Sequence, residues 1–220
     1  MYIFHFEILW GMIEPLLKGL QITIQISVLS MVLGMILGLL IAFVRMSKHI
    51  ILQEAAVIYI EISRGMPILV FIFWVYYGIP ALMGFTLSGF TSGIVALTLK
   101  YTGYLAEIFR AGIEAIKSGQ KEAAFSLGFS RIQTMRRIVL PQAVRIVVPP
   151  AGSAFVGLIQ DSALVSIIGV ADLMRQAQLA VAKTFRPFEI YTAVSILYLG
   201  VTLMLSNINN YIERRKLAID

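Results

Sequence analysis

The sequence predicts an all-α, polytopic membrane protein with five transmembrane helices. Of its 220 residues, 59% are hydrophobic and only 14% are charged, and the mean hydropathy is +0.86. Soluble domains are much less apolar than this. The net charge of +6 does not indicate nucleic-acid binding, because the basic residues cluster between long apolar segments and so indicate membrane topology. We therefore expect a lipid bilayer and no nucleic acid as partner.

Cysteine is absent, and the two histidines, His5 and His49, are far apart in the sequence. Disulfides, thiolate metal sites and a histidine cluster are therefore excluded, and no metal site is predicted. The residues before the first apolar segment include Glu7 and Glu14 rather than the basic region of a secretory signal. We expect the first span to remain in the mature protein.

The chain is predicted to form one transmembrane domain, residues 1–220, with spans at about 15–45, 50–79, 91–116, 145–168 and 188–212. The first span has no charge from Gly19 to Val44, which at about 1.5 Å per residue is long enough to cross a hydrocarbon core of about 30 Å. Arg45 and Lys48 follow it, whereas the residues before it are net acidic. The positive-inside rule then places the N-terminus outside and, after five spans, the basic C-terminus inside.

The second span is interrupted by Gly65 and Pro67. These residues should break the helix near mid-depth and free backbone groups that only a protein-lined or watery cavity satisfies. Glycines and Pro80 then indicate an outer turn at about 80–91. The third span carries Lys100, Glu107 and Arg110 along its length.

The segment 117–141 is the most basic of the chain and is predicted to be a cytoplasmic loop of two short helices. An amphipathic loop lying on the membrane surface is the alternative. The helix signals are, in order, a Ser118-Gly119 cap before a helix that begins at Gln120, a left-handed Gly128, a capping box of Ser130 and Gln133, and an end before Pro141.

The fourth span starts after Arg145 and contains Pro149 and Pro150, which are followed by a run of small residues that lets helices approach closely. It ends past Asp161. A polar outer segment from Asp172 to Glu189 leads to the last span.

The spacing within the loop resembles the EAA loop of ABC importer permeases. Three residues separate Glu122-Ala123-Ala124 from Gly128, nine more precede Ile138, and one precedes Leu140-Pro141. The resemblance implies that the loop is a coupling helix that docks into a groove of an ATPase subunit. Ala123 and Ala124 would then be small enough for close docking, and Glu122 would lie on the contact side. The positions assigned to coupling are Glu122, Ala123, Ala124, Gly128, Leu140 and Pro141.

Further motifs are similar to those of permeases for polar amino acids of the histidine, arginine and glutamine type. They include residues 61–67, 104–113, 140–143, 161–162 and 166–169. The resemblance implies a prokaryotic inner-membrane complex of two permeases, either two copies of this chain or this chain and a paralogue, two ATPases, and an extracytoplasmic amino-acid-binding protein. The chain has no phosphate-binding G-x-x-x-x-G-K-[ST] motif. No cofactor is therefore expected in this chain, which is predicted not to be an enzyme; the partner ATPase would bind ATP and magnesium.

Ionisable residues inside spans are the candidates for substrate binding. Asp161 could receive an ammonium or guanidinium group, or it could form a structural ion pair. The permeases with which the chain is compared often have lysine before this aspartate, whereas here the residue is Gln160. This local lack of a cation favours arginine, lysine or histidine as substrate.

Two pairs of opposite charges lie three residues apart, Glu61 with Arg64 and Glu107 with Arg110. Each pair could be an ordinary helical ion pair. In the functional interpretation, Arg64 holds the substrate α-carboxylate and Glu61 faces its cationic end. Thr102 could reach the same cavity, and Ser162, next to Asp161, is also assigned to the substrate site.

An ion-gradient-driven secondary transporter or channel is the alternative function. Such proteins usually contain internal repeats with paired broken helices, and this sequence has one clearly broken span. A membrane scaffold without a transport role would give Asp161 and the broken span no purpose.

Overall fold

The computed structural model describes residues 4–217, and their regular secondary structure is helical throughout. A short 3₁₀ turn, Phe6–Gly11, precedes the helices. The ten α-helices are α1 Ile13–Arg45, α2 Ile50–Gly65, α3 Ile68–Phe73, α4 Ile79–Met83, α5 Gly89–Glu114, α6 Ser118–Ser126, α7 Arg131–Thr134, α8 Leu140–Ser162, α9 Leu173–Thr184 and α10 Pro187–Leu217. The all-helical fold class is confirmed.

Within the described chain, three continuous helical stretches are long and apolar enough to cross a membrane, Ile13–Arg45, Arg131–Ile168 and Pro187–Arg214. Helix α2 with the segment Ile68–Met83 forms a fourth candidate, which bends by 108° at its break. Helix α5 has 26 residues and is not one of these candidate spans. The count of five spans and the orientation therefore stay predictions, and the break in the second span lies where the sequence places it.

Helix α5 packs against α1, α2, α3 and α8 and so occupies the centre of the fold. Ile26 of α1, Leu97 and Leu105 of α5 and Leu158 of α8 are all fully buried. The closest approach is to α1, where Gly34 and Gly38 lie one helical turn apart and leave room for the α5 backbone. This is the small-residue packing that lets membrane helices come together.

Replacing Gly38 with alanine should destabilise the fold. The added Cβ would lie 2.9 Å from the Cβ of Leu105 and 3.1 Å from the backbone nitrogen of Ala106, and neither atom can move without shifting α5. Overpacking of this kind costs about 1–3 kcal/mol. We expect a lower melting temperature for the purified variant in detergent. Gly200→Ala is the matched control, because Gly200 lies in α10 with no atom within 4 Å of an added Cβ; equal melting temperatures for the two variants would contradict this packing.

The loop 117–141 differs from prediction at two boundaries. Helix α6 begins at Ser118 rather than Gln120, with Lys117 at the N-cap and no side-chain cap. The second helix does not end before Pro141, because a π-helical turn, Met135–Val139, joins α7 to α8. The wider turn accommodates the missing N–H of Pro141 within this continuous helix. Gln142 also donates its side-chain N–H to the backbone oxygen of Ile138, at 2.9 Å.

The polar segment 172–189 contains a helix that was not predicted, α9. Asp172 caps it, accepting the backbone N–H of Arg175 at 3.0 Å. The helix packs on α1, where the backbone N–H of Leu173 donates to Thr23 at 3.1 Å and Gly19 leaves space for the α9 backbone. This contact fixes the connection between α8 and α10.

Candidate functional site

The break between α2 and α3 forms one wall of the candidate substrate site. Met66 and Pro67 have extended backbone conformations, and Pro67 has no N–H to continue the α2 ladder. The carbonyl oxygen of Met66 accepts a hydrogen bond from Lys100 Nζ of α5 at 2.8 Å. A buried side chain from another helix therefore satisfies a backbone group that the break exposes.

Two cations flank the ring of Tyr104 on α5. The guanidinium of Arg64 lies 5.7 Å and the ammonium of Lys100 5.5 Å from the ring centroid. Both distances are in the range of cation–π attraction. Their environments differ, because Arg64 is exposed and Lys100 is only 7% exposed.

Asp161 lies at the end of α8, immediately before a 3₁₀ segment, Ala163–Ile168. Its Oδ2 accepts a hydrogen bond from the hydroxyl of Tyr101 on α5 at 3.0 Å. The carboxylate is partly buried, and it takes part in none of the ion pairs within 4.0 Å that residues 4–217 form. The predicted alternative, a structural ion pair with a neighbouring helix, stays a prediction, because Lys100 of α5 interacts electrostatically with Asp161 beyond that distance.

The other predicted substrate residues lie in different surroundings. Glu61 is exposed on α2. Thr102 is 1% exposed, and its backbone carbonyl oxygen lies 3.2 Å from the position of a Cβ at Gly38, so its backbone lies at the contact between α5 and α1. Ser162 is fully buried and donates to the carbonyl oxygen of Ile159 at 2.7 Å. The structure thus brings Asp161 and Arg64 to neighbouring parts of α5, whereas Thr102 and Ser162 make contacts within the packed helices.

The two predicted helical ion pairs differ in the contacts that they make. Arg110 binds both Glu107 and Glu114 along α5, and Arg45 Nε at the end of α1 lies 3.6 Å from Glu107 Oε2. Glu107 and Arg110 therefore form the ordinary ion pair. Arg64 instead lies over Tyr104.

The loop that joins α5 to α8 presents a small, partly apolar surface. Gly128 has the predicted left-handed conformation, with φ of 79°, and Ser130 and Gln133 form the predicted capping box. In α6, which lies between α5 and Gly128, Glu122 and Ala123 are exposed, whereas Ala124 is buried. Leu140 and Pro141 lie at the start of α8 and are exposed.

Large apolar side chains flank the exposed face of α6. Phe125 is 48%, Leu127 77% and Ile132 80% exposed. Exposed apolar side chains on a loop that also carries basic residues indicate a contact with a protein or with the membrane surface. We refer to the exposed residues Glu122, Ala123, Phe125, Leu127 and Ile132 as the coupling surface.

Neither Lys100 nor Tyr101 was among the predicted site residues. A signal was present, because Lys100 is an ionisable residue within a span and is four residues from Tyr104, on the same face of α5. Its pairing with the Met66 carbonyl could not be found, since it joins residues 34 positions apart. Within residues 4–217, no three His, Asp or Glu side chains group as metal ligands would.

Comparison with known proteins gives consistent matches over most of the chain. The family model described as "Binding-protein-dependent transport system inner membrane component" matches residues 34–217. The glutamine transport system permease protein GlnP of Escherichia coli strain K12 is 38% identical over 213 residues, 96% of this chain and 97% of the relative. The probable glutamine ABC transporter permease protein GlnM of Bacillus subtilis is 40% identical over 175 residues, 80% and 81% of the two chains. A solved amino acid ABC transporter with histidines superposes with a TM-score of 0.91 at 36% identity, covering 97% of this chain and all of the other.

Proposed function

Because the chain belongs to the binding-protein-dependent transport system inner membrane components and is a permease of an amino-acid ABC importer, we propose that a separate ATPase drives it to import polar amino acids. The ATPase would bind ATP and magnesium, and an extracytoplasmic binding protein would deliver the substrate. The location that we propose is a prokaryotic cytoplasmic membrane. A second permease, identical or paralogous, would complete the pathway.

The observation that carries the ATPase proposal is the coupling surface. Its apolar side chains are exposed on a loop held by a capping box and a left-handed glycine. Such a surface is costly to leave in water and fits a groove on a partner. Ala123 has no side chain beyond Cβ, so a partner backbone can approach closely there. Gly128, Leu140 and Pro141 would set the angle at which α6 leaves the rest of the chain.

Site-specific cross-linking tests this contact cleanly, because the chain has no native cysteine. Ala123→Cys, in a complex with its ATPase, is expected to cross-link to a cysteine introduced at the mouth of the ATPase groove. Phe188→Cys, exposed at the start of α10, is the control and should give no ATPase adduct. An adduct from position 188 rather than 123 would contradict both the contact and the proposed orientation.

For the substrate, we propose that Asp161 binds a positively charged group of the amino acid. Its carboxylate is partly accessible and is held by Tyr101 at 3.0 Å, and an ionisable group inside a membrane protein is a functional candidate. The roles assigned to Glu61, Arg64, Thr102 and Ser162 stay predictions. The contacts of Thr102 and Ser162 within the packed helices give those two residues the weaker support.

The preference for arginine, lysine or histidine also stays a prediction, and it depends on the absence of a cation near Asp161. Gln160 provides none, but Lys100 of α5 interacts electrostatically with Asp161 across the helix contact. The two relatives described above are named for glutamine, whose side chain is neutral. Which end of the substrate Asp161 binds therefore decides the substrate class.

A further inference from the structure

We propose that Lys100 and Asp161 together bind the main-chain end of the transported amino acid, Lys100 its α-carboxylate and Asp161 its α-ammonium group. The inference deepens the proposed import function and depends on it. It assigns a substrate contact to a residue that the sequence analysis left out. It also changes what the site selects, because the pair recognises groups that all amino acids share.

Lys100 is buried, with 7% of the residue exposed, and its charge is only partly compensated. One of its three N–H donors is used by the Met66 carbonyl at 2.8 Å. The ring of Tyr104 faces it at 5.5 Å. Neither partner carries a full negative charge, and a buried charge without an opposite charge is costly. An incoming carboxylate would supply that charge and use the remaining donors.

The carboxylate of Asp161 is the opposite charge with which Lys100 interacts, yet the two groups form no ion pair within 4.0 Å among the described residues. Tyr101 holds Asp161 at 3.0 Å, and Tyr101 directly follows Lys100 on α5. Lys100 and Tyr101, on one turn of α5, thus hold a cation and an anion that do not form an ion pair with each other. A ligand with adjacent ammonium and carboxylate groups has the charge pattern that fits between them.

Arg64 is the other cation beside Tyr104, and the sequence analysis assigned the α-carboxylate to it. Its side chain is exposed, where water weakens an interaction between charges. Lys100 is less exposed to water, and its hydrogen bond to the Met66 carbonyl at the helix break holds it in place. We therefore place the α-carboxylate on Lys100.

If Asp161 binds the α-ammonium group, it does not distinguish substrates by side-chain charge. The substrate class of this site is then amino acids with neutral polar side chains as well as cationic ones. Uptake of glutamine and of arginine should fall by similar factors when Asp161 is replaced by asparagine.

The test measures equilibrium binding of radiolabelled glutamine to the purified permease–ATPase complex without binding protein, in competition with glutaminamide and with N-acetylglutamine. The wild-type complex should prefer glutamine to each analogue by about tenfold or more, because each analogue lacks one charge-assisted contact. Lys100→Gln can still donate to the Met66 carbonyl but has no charge. It should lose the preference over glutaminamide and keep the preference over N-acetylglutamine, whereas Asp161→Asn should show the reverse.

Arg64→Gln is the matched control and should keep both preferences. The inference is overturned if Lys100→Gln weakens glutamine and glutaminamide equally, since Lys100 then only supports the helix break, or if Arg64→Gln removes the preference over the amide. A wild-type complex that binds glutamine without any preference over the amide also overturns it and leaves the import function standing. A wild-type complex that binds no amino acid contradicts the substrate site of the proposed function itself. If the Lys100→Gln complex fails to assemble, the inference is tested by the ligand preferences of the wild-type complex and of Asp161→Asn.

Discussion

Replacing Glu122 with arginine is expected to abolish accumulation of substrate while the permease still inserts into the membrane. Glu122 is exposed on α6, next to Ala123, so the substitution leaves the packed helices unchanged and reverses a charge on the coupling surface. A positive charge placed against a groove that fits a negative one costs several kcal/mol of binding free energy. This corresponds to a loss in affinity for the ATPase of about a hundredfold or more. ATP hydrolysis should persist but lose its dependence on substrate, because the motion of the ATPase no longer reaches α6.

The measurements are uptake in cells and ATPase activity of the purified complex, with membrane content checked by blotting. Glu213→Arg makes the same change of charge at an exposed residue near the end of α10, outside the coupling surface. It should transport at the wild-type rate. Normal transport by Glu122→Arg would show that α6 is not the docking element, and an equal loss in both variants would indicate a general effect of charge.

Replacing Asp161 with asparagine is expected to lower uptake by about tenfold or more for each amino acid that the complex transports. Asparagine keeps the shape of the side chain and an oxygen that accepts the Tyr101 hydroxyl, but it loses the charge that attracts an ammonium group. Charge-assisted hydrogen bonds are roughly twice as strong as neutral ones. The loss should appear in substrate affinity and not in the amount of complex.

Tyr101→Phe separates the orientation of the carboxylate from its charge. It removes the hydroxyl that donates to Asp161 at 3.0 Å and leaves the carboxylate present. We expect a smaller loss, about threefold to tenfold, in line with a single hydrogen bond. Wild-type uptake by Asp161→Asn would show that the aspartate is structural, and a larger loss in Tyr101→Phe than in Asp161→Asn would place the function on the tyrosine.

Local signals in the sequence predicted the local structure well. The break at Gly65 and Pro67, the left-handed Gly128 and the capping box of Ser130 and Gln133 all depend on residues within a few positions of one another. The boundary after α7 was wrong because a π-helical turn changes the consequence of Pro141. That turn has no strong sequence signal, and a proline usually predicts the end of a helix.

The contacts of the substrate site could not be predicted in the same way. Lys100 binds a carbonyl 34 residues earlier, and Tyr101 binds a carboxylate 60 residues later. Thr102, which was predicted to reach the cavity, is the next residue of α5 and is buried within the packed helices. Successive residues of a helix point about 100° apart, so the face that each one occupies follows only from how α5 sits among its neighbours.

Uptake into proteoliposomes tests the central claim, that this permease imports amino acids by a motion that an ATPase imposes. The permease is reconstituted with its ATPase and binding protein, and radiolabelled glutamine accumulation is measured with ATP on the ATPase side, with and without an ionophore that collapses ion gradients. Accumulation should require ATP and should be unchanged by the ionophore. Accumulation that persists without the ATPase and is abolished by the ionophore would contradict the account and would identify a transporter driven by an ion gradient.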